Sequence, residues 1–310
     1  MIKFPLHYAR GLGIVLLISL DVSAVPFGSF GAGLGRLTKK IENFLHTHVH
    51  HGTVLRQLST QYERVCLLSP PELLTIRGEK LALRVPAHIH HIWLGSVLPA
   101  RYHAWVASWK QYHPGWEHTV WDDAQVLNLL TEYEQDFPGL CAYYHTLSNY
   151  GARSDLARLV ILYLLGGLYV DIDFQCIRSF DDLNARYSFY AGLLPITTQN
   201  GVLVANGLIG AAPGHIIIRR CLEDILAHPE LGKEGRVAQI LDNTGPGPLT
   251  RAVYTSLIDP EFSRLCADSI VFPTIVFYPP DIKKGNFSEH TYAIHHWAGS
   301  WTKPAARIKK

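Results

Sequence analysis

The chain has 310 residues, of which 48% are hydrophobic and 17% are charged, and its formal net charge is +2. This length and apolar content are enough for one large domain with a substantial core and a small additional segment. The sequence contains no basic run or stripe, so a nucleic-acid partner is not expected. None of the five cysteines forms a Cys-x-x-Cys pair, which argues against structural zinc.

The first 24 residues have the order of segments found in secretion signals. Lys3 and Arg10 provide a basic start, the apolar stretch GLGIVLLISL follows, and the small residues of VSA come next. A membrane-spanning helix needs about 20 apolar residues, which is longer than this stretch. We therefore interpret residues 1–24 as a signal peptide and expect the protein to be exported or membrane-associated, secretion as an effector being one form of export. A buried N-terminal helix is the alternative.

Residues 25–80 are predicted to form a helical appendage that precedes the main domain. The run VLRQLSTQYERVCLL places apolar residues at three- and four-residue spacing, which is typical of an amphipathic helix. The histidines of LHTHVHH suit a metal site. Because no cysteine or carboxylate lies close to them in the sequence, a polar loop is the favoured interpretation. The main domain is placed at residues 81–310.

The main domain opens with a strand–helix–strand pattern. RVPAHIHHIWLG alternates so that Ile89 and His91 share one face of a predicted strand. A helix, a Pro-Gly turn and a second short strand follow between Trp105 and Asp123. This order of elements predicts a parallel βαβ unit.

A second unit ends in two neighbouring acids. RSDLARLVILYLLGG, residues 153–167, predicts a helix that is capped by Ser154 or Asp155 and ended by its two glycines. The run LYVDID that follows has the composition of a buried strand. Strand alternation predicts that Asp171 and Asp173 point to the same side. They follow the apolar residues of the strand, and open α/β sheets bind ligands beyond the carboxyl ends of their strands.

Two carboxylates that lie close together repel each other unless a cation lies between them. Their oxygens suit a hard divalent cation, so the pair predicts Mn²⁺ or Mg²⁺ bound beside an anionic substrate. Aspartates that merely cap a helix or form a turn are the structural alternative. On the preceding helix, Asp155 and Arg158 are three residues apart. That spacing fits a solvent-exposed ion pair and a clamp for sugar hydroxyls equally well.

The segment NYGARSDLARLVILYLLGGLYVDIDF resembles a family of DxD-motif sugar transferases. This family is related to initiation-specific α-mannosyltransferases, α-1,4-galactosyltransferases and the glucosylating domain of large clostridial toxins. The shared features are a Ser-Asp-x-x-Arg run, an apolar stretch and Gly-Gly-x-Tyr-x-Asp-x-Asp. VPAHIHHIW, NGLIGAAPGH, GPGPLT and YAIHHWAGSW also resemble family segments. The resemblance covers about residues 81–301 and implies a GT-A-like nucleotide-sugar-binding α/β fold with a central, mostly parallel sheet.

The resemblance also implies roles for individual residues. Asp173 is expected to bind the metal directly, and Asp171 to reach the ribose and the metal through water; both are the candidate catalytic residues. A histidine would complete the metal shell, with His295 preferred over His296. Donor-binding roles are implied for Trp93 (base), Asp122 (nucleoside), Asp155, Arg158 and Asn206 (donor sugar), and Ser300 and Trp301 (diphosphate).

The implied activity is the metal-dependent, retaining transfer of a hexosyl group from a UDP- or GDP-sugar to a glycan, glycolipid or protein acceptor. A metal ion at the acids would oppose the negative charge that grows on the departing diphosphate. The resemblance leaves the donor sugar and the acceptor open, because acceptor pockets are built from variable loops. A non-catalytic carbohydrate-binding module derived from the same fold is the alternative.

Overall fold

A computed structural model describes residues 83–194, 203–228, 237–258, 265–266, 268–279 and 288–302. The predicted signal peptide, the predicted appendage and the LHTHVHH run lie outside these residues. Within the described ranges, none of the helices has the length and hydropathy that crossing a bilayer requires.

The described residues form one large sheet. Its strands are β1 (His88–Ile92), β2 (Glu117–Trp121), β3 (Gly167–Val170), β5 (Phe189–Leu193), β6 (Val204–Ala211) and β7 (Ser269–Phe272). They are arranged in the order β2-β1-β3-β6-β5-β7. Strand β1 is parallel to β2 and β3, and β5 is parallel to β7, whereas β6 is antiparallel to both of its neighbours. The predicted α/β class with a mostly parallel sheet is therefore confirmed.

A second, two-stranded sheet joins β4 (Phe174–Cys176) to β8 (Ala293–His295) in antiparallel register, with Phe174 opposite His295. The helices are α1 (His103–Tyr112), α2 (Asp123–Glu132), α3 (Leu140–Thr146), α4 (Tyr150–Leu165), α5 (Asp181–Arg186), α6 (Ile216–Ala227), α7 (Val237–Asn243), α8 (Pro246–Ile258) and α9 (Thr274–Phe277). Short 3₁₀ turns lie at Ala100–Tyr102 and Ser300–Thr302. The predicted parallel βαβ unit is formed by β1, α1 and β2.

Alternate residues of the central strands pack on opposite faces of the sheet. In β3, Leu168 and Val170 belong to one apolar cluster, and Tyr169 belongs to the other. In β5, Phe189 and Tyr190 are divided in the same way. Apolar residues therefore cover both faces, so the polar ends of the strands remain as the place where a ligand can bind.

Helix α4 begins earlier than the sequence predicts. Its N-cap is Asn149, whose side chain accepts a hydrogen bond from the Gly151 amide at 2.7 Å, so the prediction of Ser154 or Asp155 as the cap was wrong. Asparagine caps helices as well as serine or aspartate does, so the helix extends to it and Asp155 lies inside the helix. The predicted stop is confirmed: Gly166, at φ 63°, is the C-cap, and its amide donates to the Leu162 carbonyl.

The two acids do not belong to a continuous strand, contrary to the prediction. Strand β3 ends at Val170, and the chain then turns, with the Phe174 amide donating to the Asp171 carbonyl at 3.1 Å. The Asp171 amide donates to the Gly207 carbonyl of β6 at 2.7 Å, which holds the start of this turn against the sheet. The two carboxylates thus converge through a turn rather than through strand alternation.

Candidate active site

Three neighbouring parallel strands, β2, β1 and β3, end on the same side of the sheet. The residues that directly follow them are Asp122, Trp93 and Asp171, respectively. The Trp93 amide donates to the Trp121 carbonyl at 3.0 Å, so β1 and β2 stay together up to their ends. Carboxyl ends of parallel strands are the usual ligand-binding edge of an open α/β sheet, and polar and aromatic side chains meet at this edge here.

Asp171, Asp173 and His295 form a compact cluster at this edge. Each offers one ligand atom, and these atoms lie within 4.8 Å of one another. His295 Nε2 lies 3.0 Å from Asp173 Oδ1, and the Ala298 amide donates to Asp173 Oδ2 at 2.8 Å. His296 points elsewhere, with Nε2 at 3.1 Å from Gln175 Oε1. Of the two histidines considered for the metal shell, the structure brings His295 to the acids.

The cluster has the chemistry of a divalent-metal site. His295 Nδ1 is buried and makes no hydrogen bond within the described residues, although buried polar atoms are normally paired. Two carboxylates and one imidazole are a donor set that suits a cation such as Mn²⁺. Asp173 and His295 are each only 9% exposed, so a cation is the partner that best relieves this concentration of charge.

Asp171 is positioned by groups on three sides. The Tyr169 hydroxyl donates to Asp171 Oδ1 at 2.7 Å, and Arg158 Nη2 lies 3.3 Å from the same oxygen. On the third side, a Cβ atom at Gly207 would lie 2.8 Å from Asp171 Oδ2. Glycine at 207 therefore provides the space into which the carboxylate fits.

Asp155 and Arg158 form a buried pair, which excludes the alternative of a solvent-exposed ion pair. Arg158 Nη2 lies 2.9 Å from Asp155 Oδ1, and the two side chains are only 5% and 9% exposed, respectively. The side-chain amide of Asn206 donates through Nδ2 to Asp155 Oδ1 at 2.9 Å, and the Thr244 hydroxyl donates to Asp155 Oδ2 at 3.1 Å. Arg158 also donates to the Asn206 carbonyl at 2.6 Å. These contacts join the pair to Asp171 in one hydrogen-bonded network.

The acids differ in their tendency to ionise. Burial raises the pKa of Asp155 to about 6, although Arg158 opposes this change. Desolvation also raises the pKa of Asp171; Arg158 opposes the rise and the Asp173 carboxylate adds to it. Desolvation acts against ionisation of Asp173 too, but hydrogen bonds from His295 and the Ala298 amide leave its pKa below the ordinary value. Asp173 is therefore the acid that is most firmly ionised.

The remaining candidate residues lie around this network. Trp93 is partly exposed and donates through Nε1 to Ser96 Oγ at 3.1 Å. Asp122 is exposed and caps α2, accepting from the Gln125 amide at 2.9 Å. Ser300 and Trp301 belong to the 3₁₀ turn Ser300–Thr302, which packs against α4.

Three residues of the network were not singled out from the sequence. Tyr169 lies inside the quoted Gly-Gly-x-Tyr-x-Asp-x-Asp run, and Gly207 directly follows Asn206, so both had a local signal. Thr244 had none, because it is 89 positions away from its partner Asp155. Only the folded chain brings it to the site.

Comparison with known proteins agrees with this geometry. Residues 99–190 match a family model described as a glycosyltransferase sugar-binding region containing a DXD motif. Inositol phosphoceramide mannosyltransferase 1 of Schizosaccharomyces pombe is 28% identical over 146 residues, covering 46% of this chain and 43% of that protein. Subversion of eukaryotic traffic protein A of Legionella pneumophila is 27% identical over 201 residues, covering 53% of this chain and 31% of that protein.

Among solved structures, the PaToxG glycosyltransferase is similar with a TM-score of 0.43 and 17% identity, covering 58% of this chain and 76% of that one. The chain spans less than half the length of the two curated relatives described above. Over residues 99–190, this chain is similar to glycosyltransferase sugar-binding regions that contain a DXD motif.

Proposed function

We propose that this protein is a metal-dependent hexosyltransferase that uses a nucleotide-diphosphate sugar as its donor. The observation that carries this proposal is the cluster of Asp171, Asp173 and His295, whose ligand atoms lie within 4.8 Å of one another. The cluster is linked through Arg158 to the buried Asp155. A sugar diphosphate presents anionic oxygens and hydroxyls. A cation at the cluster would bind the anionic oxygens, and the hydrogen-bond acceptors of the neighbouring network would bind the hydroxyls.

The family match supports the class of reaction, because its description names a sugar-binding region of glycosyltransferases. The name of the S. pombe relative specifies mannosyl transfer to inositol phosphoceramide. For this chain we propose transfer of a hexose from a UDP- or GDP-sugar, with a glycan, a glycolipid or a protein as the acceptor.

The residues that would hold the metal are Asp173 and His295, with Asp171 beside them. We propose Mn²⁺, or Mg²⁺, as the ion. The carboxylate and imidazole ligands can hold such a divalent ion, and the bound ion would neutralise charge and orient the substrate. When bound, the ion supplies a positive charge next to the leaving diphosphate. Two unit charges 4 Å apart interact by about 4 kcal/mol at an effective dielectric near 20, which corresponds to roughly a thousandfold in rate.

The other side chains bind and orient the donor. Asp155 has three donors on its two oxygens, so its orientation is fixed and its remaining acceptor capacity can receive a sugar hydroxyl. Arg158 touches Asp155 and Asp171 at once, and it therefore sets the distance between the sugar-binding acid and the metal-binding acids. Asn206, which lies on β6, is proposed to bind the same sugar.

The remaining assignments extend along the sheet edge. We propose that Trp93 stacks on the nucleotide base and that Asp122 lies near the nucleoside. Trp93 follows β1, the strand adjacent to β3, and Asp122 follows β2, the next strand along the sheet. Ser300 and Trp301 are proposed to contact the diphosphate. Retention of the anomeric configuration is part of the proposal and is checked by following the product's anomeric proton by NMR.

The test is hydrolysis of UDP-glucose, UDP-galactose, UDP-N-acetylglucosamine and GDP-mannose, each with and without Mn²⁺. We expect metal-dependent release of nucleoside diphosphate from at least one donor, and its loss in Asp173→Ala. A wild-type protein that binds free sugars but hydrolyses none of these donors would be a carbohydrate-binding module instead. Activity that survives Asp173→Ala would contradict the assigned metal site.

We further propose export through residues 1–24, on the basis of their basic, apolar and small-residue segments. N-terminal sequencing of the mature protein tests this proposal, and we expect it to start at Val25. A mature chain that begins at Met1 and stays in the cytosol would contradict it.

A further inference from the structure

The end of the described chain links the two halves of the candidate site. We call residues 295–302 the strap. At its start, His295 belongs to β8, and the amides of His296 and Ala298 donate to the carbonyl and the carboxylate of Asp173 at 2.9 and 2.8 Å. At its end, the 3₁₀ turn Ser300–Thr302 packs against α4. The strap thus runs from the metal cluster to the helix that carries Asp155 and Arg158.

The far end of the strap is held by Asn149, which is only 4% exposed. Its Oδ1 accepts from the Gly151 amide at 2.7 Å, and its Nδ2 donates to the Trp301 carbonyl at 3.1 Å. The partners determine the orientation of the side-chain amide, because a backbone N–H needs an acceptor and a carbonyl needs a donor. An aspartate could serve as the cap but could not hold Trp301.

Gly151 provides the space for the same contact. A Cβ atom at this position would lie 2.7 Å from Trp301 Cβ and 2.9 Å from Asn149 Oδ1. Gly151 lies within α4 and does not have a positive φ, so no backbone strain requires glycine there. Glycine is also a poor helix former. The close approach of Trp301, together with that of the Asn149 side chain, therefore accounts for glycine at this position.

We infer that Asn149 and Gly151 form a seat for Trp301 and act as positioning residues that hold the strap against α4. This inference rests on the proposed function, in which the donor lies between the metal cluster and α4. Asp155 is on the second turn of the same helix, so the seat holds the sugar-binding side and the metal-binding side of the donor site at a set distance. The competing role for Asn149 is that of a helix cap alone.

Two substitutions separate these roles. Asn149→Asp keeps a side chain that caps equally well but directs an oxygen at the Trp301 carbonyl. Gly151→Ala favours the helix but fills the space that Trp301 needs. We expect each to raise the donor KM of Mn²⁺-dependent hydrolysis about tenfold, the effect of losing one well-formed contact. Mn²⁺ affinity stays unchanged, and Tm stays within about 2 °C.

Gly115→Ala is the matched control, because a Cβ atom at Gly115 would meet nothing within 4 Å. It should leave the donor KM unchanged. If Asn149 is only a cap, Asn149→Asp will behave like this control, and the inference is overturned.

A double-mutant cycle with Trp301→Gly tests the contact itself. Without the Trp301 side chain, including the Cβ atom that a Cβ at Gly151 would approach to 2.7 Å, Gly151→Ala displaces no part of the strap side chain. Its effect on donor KM should therefore be smaller than in the wild-type background. Full additivity of the two substitutions would show that Gly151 and Trp301 act independently, and it would overturn the seat.

Hydrogen exchange of residues 296–302 in the free protein gives a readout that needs no donor. We expect faster exchange in Asn149→Asp and Gly151→Ala than in Gly115→Ala, because the strap loses its far anchor. A wild-type protein that hydrolyses no nucleotide sugar would disprove the proposed function. Hydrogen exchange would still test whether Asn149 and Gly151 hold Trp301 in place. Unchanged exchange in both variants would overturn the seat even in an active enzyme.

Discussion

The buried histidines of β1 and His295 of β8 have the same side chain in very different surroundings. His90 is completely buried: the Trp121 indole donates to its Nδ1 at 3.2 Å, and its Nε2 lies 2.9 Å from the Gly166 carbonyl. Because Nδ1 accepts and Nε2 donates, the ring is held in one neutral tautomer. Burial lowers the pKa of His90 to about 3 and that of His91 to about 4.

His295 of β8 has a carboxylate for a partner instead of backbone carbonyls. Its Nε2 faces Asp173 at 3.0 Å, and its Nδ1 has no hydrogen-bond partner within the described residues. His90 and His91 thus face backbone carbonyls of the sheet, whereas His295 lies in a cluster with two acids. The comparison teaches that the partners of each imidazole ring, rather than the number of histidines in the strand, separate a structural role from a ligand-binding one.

The largest expected effect comes from His295→Leu. Removing the imidazole takes one ligand from the metal cluster, so we expect Mn²⁺ binding to weaken and nucleotide-sugar hydrolysis to fall by roughly a hundredfold to a thousandfold. Tm should change by only a few degrees, because the side chain lies at the edge of the fold's core. Metal titration, steady-state hydrolysis and thermal unfolding measure the three quantities, and a variant with normal Mn²⁺ affinity would remove His295 from the site.

The same substitution in β1 should reverse this pattern. His90→Leu leaves the Trp121 indole N–H and the Gly166 carbonyl without their partner, which we expect to destabilise the protein by about 3 kcal/mol. In the fraction that stays folded, Mn²⁺ affinity should be normal. Urea unfolding compared with metal titration checks this outcome. A loss of metal affinity equal to that of His295→Leu would contradict the assignment of a structural role to His90 and a metal-binding role to His295.

Gly207→Ala sharpens the comparison by changing the cluster without touching any of its ligands. The added methyl would lie 2.8 Å from Asp171 Oδ2, so the carboxylate must move. We expect a loss of about ten- to a hundredfold in kcat/KM, equivalent to about 1.4 to 2.8 kcal/mol. Gly115→Ala is the control, and wild-type activity in Gly207→Ala would mean that the position of Asp171 is unimportant.

The smallest expected effect is on the pH dependence of stability. Burial lowers the pKa values of His90, His91 and His215 in the folded protein to between about 3 and about 4. A depressed folded-state pKa contributes stability above pH 6.5 that is lost as the pH falls toward 4 and below. Asp155, whose folded pKa is raised to about 6, acts in the opposite direction over part of this range.

We therefore expect Tm to fall on acidification below pH 6.5. The decline should be shallower in His90→Leu, which lacks one of the buried rings. Thermal unfolding across pH 4 to 7.5 measures the slopes, and equal slopes in His90→Leu and wild type would contradict the linkage.

Local patterns were sufficient for much of the fold. Apolar spacing in residues 153–165 predicted the body of α4, and the glycine pair predicted its end, since both signals depend on neighbours in the sequence. The start of α4 was missed because Asn149 and Ser154 are both good caps. The prediction of a continuous strand through Asp171 and Asp173 was wrong because a turn, in which the Phe174 amide donates to the Asp171 carbonyl, interrupts the strand.

The sequence by itself determined the α/β class, the βαβ order and the presence of two acids after an apolar strand, because periodicity and glycine placement act over a few residues. The tertiary structure decided which histidine reaches the acids and that Asp155 and Arg158 are buried together. It also brought Thr244 to Asp155 and Trp301 to Asn149, pairs that are 89 and 152 positions apart. Contacts of that separation depend on how the sheets and helices pack, and packing brings together side chains that no local pattern connects.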